Sequence, residues 1–417
     1  MPLLSSLLLV LVCARLVGRL FKQFNQPEIV GEMIAGMVLG PSILNVVQPN
    51  DELSGISELA VFLVVLSAGL EMNFKDVVNS FRGKTIIIAV LGFIVPLASG
   101  LAVGYMFDLD MMRSIFLALC ISITALPVTV HILKSMNMLN TDVAKFAIAA
   151  SIFNDVTALL ALGVVINLPS QQSAIEVVLS VLNAGWKLIA LGVGIFTFNW
   201  LLQKLISSGL DISVKTKRFI SIVGTEAIFG FVVLFVLVFG FFSEAMGFHF
   251  VIGAFFGALM IEKKFLAPEH YENFEHTLNS ITGGFLAPVF FAFLGLQFFI
   301  GAIESVLFVV VVLLVSILSK VVAGYVGGRI VKFDHNTSML LGSILNGRGV
   351  MELVIAGIAY DHGFIDQGLF SVLVLMGVVT TLMTPFAIRL FRKDEPQTEK
   401  PVEQLVEPDS GPSEFGH

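Results

Sequence analysis

Apolar runs of about 20 residues recur from one end of the chain to the other, each long enough to cross a hydrocarbon layer of about 30 Å as a helix. Thirteen runs are found, near residues 3–21, 28–44, 56–72, 85–106, 111–133, 142–168, 183–207, 219–243, 247–262, 281–300, 304–329, 336–360 and 366–391, the ninth of them short. No soluble fold hides this much apolar surface. Of the 417 residues 56% are apolar and 13% charged, where a soluble domain carries about 25% charged residues. The chain reads as an all-α polytopic membrane protein with thirteen transmembrane helices.

Charge placement orients it. Basic residues gather in alternate loops, beginning with Arg15, Arg19 and Lys22 and ending with Arg389, Arg392 and Lys393. The loops between them carry Arg113 and otherwise acids such as Asp51, Glu52, Asp108, Asp110, Glu176, Glu304 and Asp361. Basic loops stay inside, so the N-terminus is expected outside and the C-terminus in the cytoplasm of a cell (inner) membrane. The first run lacks a basic lead and a small-residue cleavage site, and is expected to remain as a span. Residues 392–417 form a Pro-broken acidic segment with seven acids and one lysine after residue 393, a composition that predicts a disordered cytoplasmic tail. Cys13 and Cys120 are the only cysteines, which excludes a disulfide framework or thiolate metal site. Without a contiguous basic face, nucleic acid is excluded as a partner.

Thirteen spans divide as six, one and six, and the eighth then starts on the opposite side from the first. Any repeat relating the halves must therefore be inverted, a build common among secondary transporters. The fifth and twelfth runs hold equivalent places in the two halves, and each carries a helix breaker near its middle. They read Thr124-Ala125-Leu126-Pro127 and Asn346-Gly347-Arg348-Gly349. Pro127 removes a donor, and Gly347 and Gly349 loosen the backbone, so two discontinuous helices are expected at membrane depth. A packing kink is the alternative for either break alone.

Ionisable side chains deep in such runs cost roughly 2.5–3.5 kcal/mol each and mark function by default. Asp155 is the only aspartate deep within any run, fourteen residues into the sixth. Ser151 lies one turn before it on the same face and Asn154 precedes it, so three oxygens can converge on a monovalent cation. The other reading of Asp155 is a structural acid satisfied by a nearby cation. Lys320, in the middle of the eleventh run, is the expected partner. Arg348 and Glu352 stand four residues apart and are expected to pair and hold the second broken helix together. Glu71 and Thr129 are additional candidates for the site. Glu71 and Glu32 lie near the expected cytoplasmic edge, where solvation at the interface explains both. Glu226 and His131 are vestibule residues at most, and Gly36 and Gly40 are spaced for close helix approach.

These segments, with Gln26-Pro27-Glu28 leading to Gly40-Pro41-Ser42, Ala68-Gly69-Leu70-Glu71, Phe153-Asn154-Asp155 and Ser319-Lys320, resemble the monovalent cation:proton antiporters of the Kef-type and NapA-like branch. The resemblance covers the chain to about residue 391. It implies a transmembrane domain over 1–391 with a mobile core from spans 85–168 and 304–391. It also implies a dimer scaffold from spans 3–72 and 219–300, with 183–207 as linker, and a homodimer in the lipid bilayer. Asp155, Asn154, Ser151, Thr124 and Lys320 would then form the ion and proton site, with Na⁺ or K⁺ and H⁺ as its guests. No cofactor and no enzymatic activity are implied.

The expected mechanism is alternating access with one shared site. A buried bare carboxylate is costly, so a proton and a cation compete to neutralise Asp155 before the core moves. Asn154 cannot titrate, and one exchanging acid favours one cation for one proton. Electrogenic relatives carry two adjacent aspartates, and electroneutral ones often have Arg where Lys320 stands, so Lys320 leaves the stoichiometry open. The alternatives are a K⁺-selective efflux transporter or channel of the Kef type lacking its regulatory domain, and more distantly a sodium-coupled anion symporter. An intramembrane aspartyl protease needs two membrane aspartates, and this chain supplies one.

Overall fold

The computed structural model of the chain describes residues 2–24, 26–72, 74–167, 226–261 and 268–391, with scattered residues between 182 and 204. Within the first half lie α1 (Leu3–Gln23), α2 (Glu28–Leu39), α3 (Asp51–Leu70), the short α4 (Phe74–Ser80), α5 (Thr85–Met106), α6 (Met111–Ser122), α7 (Leu126–Ser135) and α8 (Asp142–Ile166). The second comprises α9 (Glu226–Ala245), α10 (Phe250–Leu259), α11 (Pro268–Ile281), α12 (Ala287–Gln297), α13 (Val306–Ile330), α14 (His335–Ile344), α15 (Val350–Asp361) and α16 (Gln367–Phe391). A π turn, Thr282–Leu286, joins α11 to α12 without breaking the rod. The seventh expected span, in part, the first residues of the eighth, the side chain of Glu226 and the acidic tail 392–417 lie outside the described residues.

Nine helices among the described residues are long and apolar enough to cross a membrane. The second and ninth expected runs are the shorter α2 and α10, of 12 and 10 residues. The twelfth is split into α14 and α15. Polar caps start several of these rods where water-facing loops end: Asn50 accepts from the Leu53 amide at 2.8 Å, Asp110 from Arg113 at 3.0 Å and Asp366 from Leu369 at 2.8 Å. Each satisfies an amide that the first helical turn leaves without a partner.

Two neighbourhoods emerge from the packing. In one, α2 lies between α1 and α12, and α3 against α10 and α12. Gly36 and Gly295 are the reason α2 and α12 touch. A Cβ on Gly36 would stand 1.9 Å from the Ala292 carbonyl, and one on Gly295 would stand 2.2 Å from that of Met33. In the other, α5 packs on α6, α8 and α13, while α14 packs on α13 and α16. The α13 helix shows how the sequence sorts its faces. Val312, Ser316, Ser319, Lys320, Ala323, Gly324 and Gly327 make one buried stripe, while Val306, Leu307 and Leu318 on the same helix are exposed. Apolar exposure of this kind on a rod this long is what a hydrocarbon surround requires.

Candidate functional site

Both expected breaks are present, and they cross. The α6 helix stops at Ser122, Ile123–Ala125 are extended, and α7 starts at Leu126. Pro127 is therefore in the first turn of α7, where a missing amide costs nothing, and the extended stretch precedes it. The second break runs from Leu345 to Gly349, between α14 and α15. Gly349 is a glycine for lack of space: a Cβ there would stand 2.5 Å from Val128 of α7. The extended strands satisfy each other, since the Ala125 amide donates to the Gly347 carbonyl at 3.0 Å and the Thr124 hydroxyl to that of Leu345 at 2.9 Å.

Breaking α6 exposes its last carbonyls, and two buried cations take three consecutive ones. Arg348 donates to Cys120 at 2.5 Å and to Ile121 at 2.8 Å, and Lys320 donates to Ser122 at 2.5 Å. Lys320 also donates to the Gly92 carbonyl at 2.9 Å and the Thr124 hydroxyl at 2.7 Å. The negative end of a helix favours cations in this position. Lys320 was expected to pair with Asp155. Instead its three donors are spent on the Ser122 carbonyl and Thr124 hydroxyl of the first break and on the Gly92 carbonyl of α5, and no salt bridge joins it to Asp155 among the described residues. The unsatisfied carbonyls at the end of α6 are nearer partners for an ammonium than a carboxylate held elsewhere.

Asp155 instead occupies the positive end of α7. Its Oδ2 accepts from the Leu126 amide at 3.1 Å, and the side chain is fully buried. Its Oδ1 has no hydrogen-bond partner, and neither do Oδ1 and Nδ2 of the adjacent, equally buried Asn154. Thr124 is committed to the crossing as donor and acceptor. Ser151 gives its proton to the Ala147 carbonyl at 2.9 Å and lies 3.2 Å from the Thr129 hydroxyl, which brings both into the same buried layer. Arg348 and Glu352 approach to 3.6 Å, as the spacing suggests. Arg348 does more than pair with Glu352, because from the break it fastens the start of α15 to the end of α6. The Thr381 hydroxyl holds the Arg348 carbonyl at 3.1 Å from α16.

Asn346 escaped the sequence reading as a site residue although it lies in the second break. It is 4% exposed, its amide donates to the Gly342 carbonyl at 3.1 Å, and its Oδ1 has no partner. An amide inside an interrupted membrane helix was the available signal. The carbonyls of Gly92, Cys120, Ile121 and Ser122 carry no signal, because any residue type supplies one. Glu71 is exposed and lines a cavity of about 200 Å³ that reaches Pro127 and Val350 at the starts of α7 and α15. Glu32 lines the same cavity but is 3% exposed, so interfacial solvation does not account for it. The α1 helix, lying across α2, covers the side chain. His131 is on an exposed face of α7.

The transmembrane sodium/hydrogen exchanger profile matches residues 7–392. The chain belongs to the sodium/hydrogen exchanger family. This family is one of membrane cation transporters, and the exchanger described here is multi-pass. It is 27% identical to a Na⁺/H⁺ antiporter of Enterococcus hirae over 94% of this chain and 99% of the relative. It is 25% identical to the Na⁺/H⁺-K⁺ antiporter GerN of Bacillus cereus over 90% of this chain and 93% of GerN. Its fold is similar to that of the sodium proton antiporter MjNhaP1 from Methanocaldococcus jannaschii at a TM-score of 0.68, covering 94% of this exchanger and 99% of MjNhaP1 at 18% identity.

Proposed function

We propose that this exchanger is a secondary active monovalent cation/proton antiporter of the Kef-type and NapA-like branch, moving Na⁺ or K⁺ against H⁺ by alternating access. The carrying observation is a fully buried carboxylate, Asp155, at the crossing of two broken helices, with one oxygen free beside the unpartnered Asn154. Likeness to proteins named Na⁺/H⁺ and Na⁺/H⁺-K⁺ antiporters supports the same reading.

A buried acid with one oxygen on an amide and one bare is satisfied by either of two guests. A proton neutralises it, or a cation does while drawing further oxygens from Asn154, Ser151, Thr129 and Asn346. Hard monovalent cations accept such a set of neutral oxygens with one carboxylate. Both guests need the same oxygen, so one leaves when the other binds. Lys320 and Arg348 are occupied at the end of α6 and keep the crossing rigid while Asp155 exchanges. With Asn154 unable to titrate, one proton moves for one cation and the cycle is electroneutral. The reading includes thirteen spans in two inverted repeats, a core from 85–168 and 304–391 moving on a scaffold from 3–72 and 219–300, a homodimer, and an outside N-terminus.

Proteoliposomes holding a pH-sensitive dye test it. A gradient of NaCl or KCl is expected to drive proton efflux that Asp155→Asn abolishes, with no change when the membrane is voltage-clamped by an ionophore. Exchange that persists in Asp155→Asn would sink the proposal, and a current that reverses at one ion's equilibrium potential irrespective of pH would replace it with a channel.

A further inference from the structure

The cavity that ends at Pro127 and Val350 is lined by five oxygen-bearing side chains, Glu28 and Ser67 among them, and not by Asp155. Glu32 projects from α2, Glu71 from the end of α3, and Thr282 from the π turn between α11 and α12. Its volume of about 200 Å³ holds a cation with several waters at about 30 Å³ each.

Glu32 and Thr282 are both buried, and neither side chain makes a hydrogen bond among the described residues. The Thr282 hydroxyl is on a residue 5% exposed and has no hydrogen-bond partner. Native buried hydroxyls are almost always paired, and because Thr282 lines the recess a guest entering there can supply the missing partner. Glu32 has neither a hydrogen bond nor a salt bridge among the described residues. The neighbouring Glu28, by contrast, is held by Lys22 and approaches Arg15 at 3.7 Å. Arg15 itself donates to the Gly283 carbonyl at 3.0 Å, spanning α1 and the π turn. Room for the Glu32 side chain is made by Gly18 of α1, where a Cβ would stand 3.1 Å from the Glu32 Cγ. A glycine on one side and an unpartnered hydroxyl in the same cavity make this a built recess. No group of three acids or histidines able to hold a metal ion occurs among the described residues, and a divalent cation asks for more carboxylate than this.

We infer that this recess is a second monovalent-cation site, where an ion held by Glu32, Glu71 and the Thr282 hydroxyl waits one step before Asp155. The inference deepens the antiport reading and rests on it. The far wall is built from the first turns of α7 and α15, so the ion leaves the recess directly at the crossing. An ion already stripped of part of its water there has less hydration left to lose on reaching Asp155.

Binding to the full-length Asp155→Asn protein in detergent separates the two sites. Saturable binding of radiolabelled Na⁺ or of Rb⁺, competed by Na⁺ or K⁺ but not by choline, is expected to survive in that variant. Adding Glu32→Gln or Thr282→Val is expected to weaken it at least tenfold, and Thr282→Ser to restore it, while unfolding temperature identifies any variant that has lost its fold. In the transport-competent protein, Glu32→Gln is expected to raise the cation KM at least fivefold. Absence of saturable binding in Asp155→Asn overturns the inference, as does binding or a KM that ignores both recess changes. Either result leaves the antiport reading intact, because that reading stands on flux.

Discussion

The Lys320 ammonium donates to the Ser122 carbonyl at 2.5 Å, capping the broken end of α6 across 198 residues of chain. Its role is thereby separated from that of Asp155, which accepts from the Leu126 amide on the far side of the same break. One break thus has a cation at its negative end and a carboxylate at its positive end, and only the carboxylate keeps a free oxygen.

Lys320→Ala is expected to damage the fold as well as transport. It strands the carbonyls of Ser122 and Gly92, and buried unpaired acceptors cost about 1–3 kcal/mol each. Asp155→Asn retains an acceptor for Leu126 and removes a buried charge. Thermal unfolding in detergent should therefore show Lys320→Ala lowered by several degrees, and Asp155→Asn equal to or above the parent, with both transport-dead. A parent-like unfolding temperature for Lys320→Ala would contradict the capping role.

Arg348→Lys is expected to be far from conservative. A lysine has no planar fork to hold Cys120 and Ile121 together, and loss of the bidentate clasp should cost about 2 kcal/mol. Glu352→Gln, whose oxygens make no hydrogen bond, should cost less. The order is checked by denaturation of the two variants side by side, and the reverse order would mean that the 3.6 Å ion pair, rather than the clasp, holds the helices.

Gly36→Ala places a methyl 1.9 Å from the Ala292 carbonyl and should force α2 off α12, at a cost of about 1–3 kcal/mol for overpacking. Gly55 on α3 has nothing within 4 Å of a built Cβ, so Gly55→Ala should be neutral or gain up to about 1 kcal/mol from helix propensity. Yield of folded protein after detergent extraction distinguishes them.

A pH response is expected at the turn before α10. His249, in the turn before α10, accepts from the Val251 amide through Nδ1 at 3.3 Å, and its ring lies 5.6 Å from that of His362 at the end of α15. Burial, and secondarily His362, push its pKa down to about 4. A depressed histidine stabilises the fold fully above its ordinary pKa of about 6.5, and the contribution is lost as pH falls from there toward 4. Protonation at Nδ1 also removes the acceptor that caps α10. The unfolding temperature should drop across that window, and His249→Asn, which keeps an acceptor without a titration, should flatten the drop by a few degrees. An unchanged slope in His249→Asn would show that other groups carry it.

Residue order alone carries the membrane class, the two interruptions and the depth of Asp155 along its run. Each is a one-dimensional quantity: a run of apolar residues, a proline or glycine within it, the number of residues from its end. The contacts behind the site are of another kind. Lys320 reaches Thr124 across 196 residues and Arg348 reaches Cys120 across 228, and their partners are largely backbone carbonyls, which have no signature in the sequence. Glu32 has the position of an edge residue along its own helix, and only α1 lying over it buries the side chain; Asn346 is a candidate because its oxygen is buried and bare. Which charge meets which oxygen was decided by the crossing of the two breaks, since only packing brings the orphaned ends of separate helices within hydrogen-bond reach.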